Sequence, residues 1–171
     1  MPELLPIPGP ISTADLITEI EEACVSTLQA DVVVGDGGTL DVATWESRAR
    51  QLNGERMVLS AEMPALLVDV QSAAMERLAS NTRGETYTVR LIGIAQDQDV
   101  VSARRTAQRM VKQGCRAIEA NDGATTWLAA GYQVIISNWS VGEPGIADAD
   151  GDPNLFVCEA TVPVTVIVTE E

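Results

Sequence analysis

The chain has 171 residues, 46% of them hydrophobic and 21% charged, a composition that suits one folded domain with its own core and excludes a disordered polar tract. A formal net charge of −14 excludes broad, sequence-neutral binding to a nucleic-acid backbone, which is driven by Lys and Arg displacing counterions. The sequence contains no histidine, which removes the commonest general base near neutral pH, every Ser-His-Asp or Cys-His arrangement and the usual transition-metal sites.

Residues 1–10 include Pro2, Pro6, Pro8 and Pro10, a density that excludes helix and favours an extended arm over residues 1–11. Two readings stay open for it: a disordered arm, or one that lies on a neighbour through Leu4, Leu5 and Ile7. Ser12 then offers an N-cap, with Ile11 before it and Asp15 in the capping-box place. It opens an amphipathic helix over about residues 13–29, with Leu16, Ile20, Ala23, Cys24, Val25 and Leu28 as its apolar stripe and Asp15, Glu19, Glu21 and Glu22 facing outward. A brief strand at Val32, Val33 and Val34 is stopped by Gly35-Asp36-Gly37-Gly38. Residues 35–62 form a long loop or insertion, with room for a helix over 43–52, containing Trp45, Arg48 and Arg50, and a short strand over 54–59.

After Pro64 comes a strand in which Leu66, Val68 and Val70 point one way; residues 72–77 read equally as helix or turn. A turn with Asn81 and Gly84 leads to a strand over 86–95, where Tyr87, Val89 and Leu91 alternate with Thr88, Arg90 and Ile92. Gly93 within it marks a bulge or the close approach of another backbone. The spacing next predicts a long helix over 100–120, capped by Asp97 or Asp99, with Val100, Ala103, Ala107, Met110, Val111, Gly114, Cys115 and Ile118 as its buried stripe. Asn121-Asp122-Gly123 ends it. A strand carrying Tyr132, Val134 and Ile136, an acidic loop over 142–154 and a last strand over 156–168 complete the chain. Pro163 in that last strand predicts an edge position or a bend. The fold class is α/β (α+β): a single mixed or antiparallel sheet with the long helix and the N-terminal helix packed on it, in the order α-β-β-α-β-β, forming one domain over 12–171.

The residues point to no active site, so no catalytic residue, cofactor or metal is assigned. The acidic loop places Asp148, Asp150 and Asp152 at alternate positions before Asn154, with Glu159 further on, like a calcium loop with oxygen ligands. Pro153 stands where the turn glycine belongs and a strand follows in place of a helix, so two readings stay open, a solvated acidic hairpin loop first and a weak divalent-cation site second. Gly35-Asp36-Gly37-Gly38 lacks the Lys and Ser/Thr of a phosphate loop and reads as a turn. Cys24, Cys115 and Cys158 are odd in number, widely spaced and set among apolar residues, which suits buried free thiols in a reducing compartment. No basic-plus-apolar leader and no apolar run of bilayer length is present, so neither secretion nor membrane spanning is expected.

Every basic residue lies between Arg48 and Arg116, so both flanks carry acid alone. Within that zone Arg105, Arg109, Lys112 and Arg116 follow at steps of four, three and four, on one face of the long helix away from its apolar stripe. Two readings stay open: a solvated outer face, or an interface that receives acidic surface of a neighbouring copy, with Arg giving bidentate contacts to carboxylates. The face has no aromatic stacking surface of the kind that binds single-stranded nucleic acid.

The order of an N-terminal helix, a Pro-led strand at Met63-Pro64-Ala65-Leu66-Leu67-Val68, a second strand at Tyr87-Thr88-Val89-Arg90-Leu91, a long helix over 100–118 and a final pair of strands resembles the tail terminator proteins of long-tailed bacteriophages. Phage head-tail joining proteins share that layout. The resemblance implies a virion protein, assembled in the host cytoplasm, that forms a hexameric ring at the head-proximal end of the tail tube, ends tube polymerisation and offers a docking surface to the head. Its implied partners are its own copies, the tail tube protein and a head completion or connector protein, with DNA at most passing through the ring lumen. Another head-tail joining or tail completion subunit is the alternative, and a small carboxylate-dependent enzyme is the third reading.

Overall fold

Period-two alternation of Val, Ile and Leu runs through much of three long strands of 15 residues each. The computed structural model describes residues 13–40, 42–46, 63–146 and 154–169. In chain order the elements are α1 (Thr13–Gln29), β1 (Ala43–Glu46), β2 (Ala65–Ala79), β3 (Thr82–Gln96), α2 (Val100–Glu119), β4 (Gln133–Ile136), β5 (Ser140–Val141), β6 (Gly145–Ile146) and β7 (Leu155–Thr169). They form one sheet in the order β1-β2-β3-β7-β4, with β5 and β6 also paired to β7. Among the described residues only β1 against β2 is parallel, so the sheet is mixed, one of the two arrangements that the sequence allows. The expected N-terminal arm, residues 1–11, lies outside the described residues.

One face of the sheet carries the core. Leu66, Val68, Val70, Tyr87, Val89, Leu91, Val162, Val164 and Val166 are buried there under α1 and α2, which contribute Leu16, Ile20, Leu28, Met110, Val111 and Ile118. Gly93 sits without a bulge, paired to Leu66 and Cys158. A Cβ at Gly93 would stand 3.1 Å from the Ala107 carbonyl oxygen and 3.0 Å from Val111 Cγ1. The helix backbone therefore settles directly onto this strand, the close approach that the glycine foretold. Gly114 completes the fit from the helix side, where a Cβ would meet Leu91 Cδ1 at 3.0 Å and Leu28 Cδ2 at 3.3 Å.

Tertiary pairing overrides several local readings. Residues 72–77 are neither helix nor turn: β2 continues through them to Ala79, with register shifts between Ser72 and Ala74 and between Arg77 and Ala79. Ala74, Met75, Glu76 and Leu78 are good helix formers, and only the ladder to β3 holds them extended. The helix expected over 43–52 gives way at 43–46 to β1, paired to β2 from Ala65 to Val68; the remainder, and the strand expected over 54–59, lie outside the described residues. Val32, Val33 and Val34 form a turn instead of a strand, because Asp31 Oδ1 accepts from the Val33 and Val34 amides at 2.8 and 3.0 Å.

Glu21 is buried rather than outward, at 2% exposure, and its Oε1 accepts from the Val70 amide at 3.4 Å. β1 covers β2 only as far as Val68, and among the described residues no strand follows along that edge, so the carboxylate supplies an acceptor where the ladder stops. Val100, expected in the buried stripe, is 44% exposed because the first turn of α2 overhangs the end of the sheet. Pro163 lies inside the sheet, opposite Thr88 of β3. The Val134 amide donates to the Ala124 carbonyl and its carbonyl accepts from Gly123, so Val134 and Val166 face each other without exchanging bonds. Odd-numbered residues of β7 therefore aim their amides at β4 and β5. Pro163, with no amide proton, falls opposite residues 137–139, where the chain leaves the ladder between those two strands.

Candidate functional site: the outer face of helix α2

Asp99 caps α2, its Oδ1 accepting from the Val101 amide at 3.2 Å and its Oδ2 from the Ser102 hydroxyl at 2.8 Å. Asp97 braces the cap by accepting from the Asp99 amide at 3.0 Å. These bonds hold the Asp99 carboxyl below the usual carboxylate range, the Ser102 hydroxyl contributing most. From that start the 3.6-residue period buries Ala103, Ala107, Met110, Val111, Gly114, Cys115 and Ile118 and turns the opposite face to water.

Arg105, Arg109, Lys112 and Arg116 are all exposed on that outer face, and the structure brings them together around one shallow depression of about 350 Å³. Val33, Gln108 and Gln113 complete its lining among the described residues, and none of these contributes a carboxylate. Among the described residues none of the four cations forms an ion pair. Asp31 approaches through Gln113, whose Nε2 donates to Asp31 Oδ2 at 3.1 Å. Its carboxylate is already committed to the Val33 and Val34 amides; partial burial pushes its pKa up, but those hydrogen bonds outweigh it and hold the group below the usual range.

Elsewhere among the described residues the arginines are occupied. Arg90 lies on the sheet face opposite the helices, with Glu159 at 3.2 Å and Asp69 at 3.5 Å. Arg83 meets buried Glu85 at 2.7 Å, and Arg77 donates to the carbonyls of Ala79 and Ser80. Arg104 approaches Glu143 at 3.5 Å, both well exposed.

A second depression of about 590 Å³ adjoins the first, sharing Arg105 and Gln108. Val100, Val101, Pro144, Ile146 and Phe156 contribute apolar lining, beside Arg104 and Gly145. Val101 and Ile146 are 52% and 53% exposed. Nothing in the local pattern marks this groove, because its lining joins α2 to residues 144–156.

The remaining candidates separate. Asp148, Asp150 and Asp152 lie outside the described residues, whereas Glu159, the distant member of that set, is bound to Arg90 through both carboxylate oxygens. No group of three or more Cys, Asp or Glu side chains among the described residues is arranged to hold a metal ion. All three cysteines are free and buried. Burial, with lesser effects from Cys158 and Glu119, pushes the Cys115 thiol up to about 12; burial likewise raises Cys24 and Cys158. The thiols are thus protonated near neutral pH and act as small core side chains. Gly35-Asp36-Gly37-Gly38 forms hydrogen-bonded turns, with Gly37 at φ 69°. No helix among the described residues is long and apolar enough to cross a membrane. No protein-family model matches this chain, and no curated protein matches it in sequence.

Proposed function

We propose that this chain is a structural virion subunit that caps the head-proximal end of a phage tail tube as a ring of copies, ends tube polymerisation and presents the surface on which the head docks. The observation that carries the reading is the cationic outer face of α2, four exposed basic side chains without carboxylate partners among the described residues, on a chain of net charge −14. A ring of identical copies needs two different patches that fit each other head to tail. The basic face of α2 supplies one, and the acid-only flanks of the chain supply complementary charge for the other. A predominantly acidic surface also lets DNA pass the lumen without adhering, since few cations are available to displace its counterions.

The test is to add the purified chain to growing tail tubes and to image them by negative stain. The expected result is six-fold density at one end of each tube and arrest of elongation. Tubes that keep growing with bare ends defeat the reading, and density on head connectors but not on tubes moves the chain to a head-tail joining role.

A further inference from the structure

We propose that the surface docking on the cationic face of α2 is the outer face of α1 in a second copy of this chain, through Glu19 and Glu22. Both lie on the side of α1 turned away from buried Leu16, Ile20, Cys24 and Leu28. Glu22 is exposed. Glu19 is half-buried, with Oε1 accepting from the Ala130 amide at 2.9 Å and its other oxygen unbonded among the described residues.

The two stripes share a spacing. In the sequence Asp15, Glu19 and Glu22 follow at steps of four and three, as do Arg105, Arg109 and Lys112, and as do Arg116, Lys112 and Arg109 read in reverse. At 1.5 Å per residue each set places a second charge after about 6 Å and a third after about 4.5 Å more, so two helices laid side by side match carboxylate to cation in either direction. Along α2 alone, cations three and four residues apart repel one another, and carboxylates set among them relieve that repulsion. The guanidinium groups add paired hydrogen bonds to a carboxylate.

A chain cannot satisfy its own stripe. Glu21 bonds to Val70, and Leu28 packs beside Leu66 against Gly114, so α1 runs antiparallel to β2. Gly93 lies under Ala107 and Val111 whereas Leu91 lies under Gly114, so α2 runs antiparallel to β3 and hence to α1. From the contact of Leu28 with Gly114, Glu19 and Glu22 lie about 9–13 Å towards the hairpin, and Arg109 and Lys112 about 3–7 Å the other way. The stripe centres are therefore about 16 Å apart along the helices, on neighbouring helices that both turn these faces from the sheet, and no ion pair joins them. Because the stripes lie towards opposite ends of the helical layer, each docked copy keeps one of them free for the next, the head-to-tail relation that a ring requires.

The pairing rests on the self-assembly in the proposed function, and the experiment separates the two. Lys112 is the only lysine of the sequence, so carbodiimide coupling reports which carboxylate lies beside it. Unlabelled and isotopically labelled full-length chains are mixed, coupled in low salt and read by mass spectrometry of the linked peptides. The expected product is a covalent dimer joining Lys112 of one chain to the α1 stripe of the other, suppressed by added salt. No dimer, or Lys112 joined only to carboxylates outside α1 or within its own chain, overturns the pairing. In sedimentation velocity Glu22→Arg and Arg109→Glu should each weaken self-association about tenfold or more, and a mixture of the two chains should regain dimers, because the intact α2 of the first meets the intact α1 of the second. A mixture as dispersed as its parts overturns the pairing. Six-fold density on tail tubes with Lys112 joined elsewhere overturns α1 as the partner and leaves the ring; Lys112 joined to Glu22 while tubes stay bare keeps the pairing and defeats the cap.

Discussion

Along the inner face of α2 run Ala103, Ala107, Met110, Gly114 and Ile118, all buried; along its outer face run Arg105, Arg109, Lys112 and Arg116, all exposed. The inner residues are small wherever the sheet comes close and large where it leaves space, as Gly114 above Leu91 and Met110 near Gly93 show. The outer residues are long cations that the described fold leaves without carboxylates, although Arg90 on the sheet has two. One helix thus carries the stability of the domain on one side and an unused electrostatic complement on the other. Changes on the two sides should be separable by measurement.

The largest expected effect is on the inner face. Met110→Ala removes a fully buried side chain and leaves a cavity between helix and sheet, costing about 2–5 kcal/mol in unfolding free energy. Urea denaturation followed by circular dichroism reads it as a lower midpoint at unchanged slope. Asp31, at the margin between the faces, should matter less. Asp31→Ala removes the acceptor shared by two turn amides and Gln113, costing about 1 kcal/mol near neutral pH because solvent screens a partly exposed carboxylate. Its folded-state pKa is depressed, so this contribution is present above the unfolded value of about 4 and disappears as pH falls through the folded value. Parallel denaturation series of the parent and Asp31→Ala should therefore converge in acid; a constant gap down to the lowest pH contradicts the assigned role.

The smallest effect on stability, and the sharpest on association, belongs to the outer face. Arg109→Glu should shift unfolding by no more than about 0.5 kcal/mol, since the side chain is exposed and makes no ion pair among the described residues. Sedimentation velocity should nonetheless show loss of self-association, and added salt should reproduce that loss in the parent chain by screening. Intact assembly in both arms would show the outer face to be only solvated.

Much of this arrangement is legible from residue order. The apolar period of α2, its Asp99 cap and the cationic steps of four, three and four all lie within one local element, and the structure keeps them together. Gly93 marked the close helix approach because only an absent side chain leaves room there. Other features depended on partners distant in sequence. The helix-forming stretch Ala74-Met75-Glu76 became strand through pairing to residues 84–86 of β3, Glu21 was drawn inward by an edge amide of β2, and Pro163 was tolerated inside the sheet because its missing donor meets a break in the neighbouring strand. The apolar groove required Val100 and Val101 of α2 to stand beside Ile146 and Phe156.

By itself the sequence determined the fold class, the two helices of the described residues, the apolar faces of the main strands and the position of the cationic face, since each follows from periodicity within a short window. Tertiary structure alone decided how far the strands extend, which way Glu21 points, where the sheet accepts a proline and which depressions border the cationic helix. Those outcomes come from hydrogen-bond ladders and packing between segments far apart in the chain, where the choice of partner overrides local propensity.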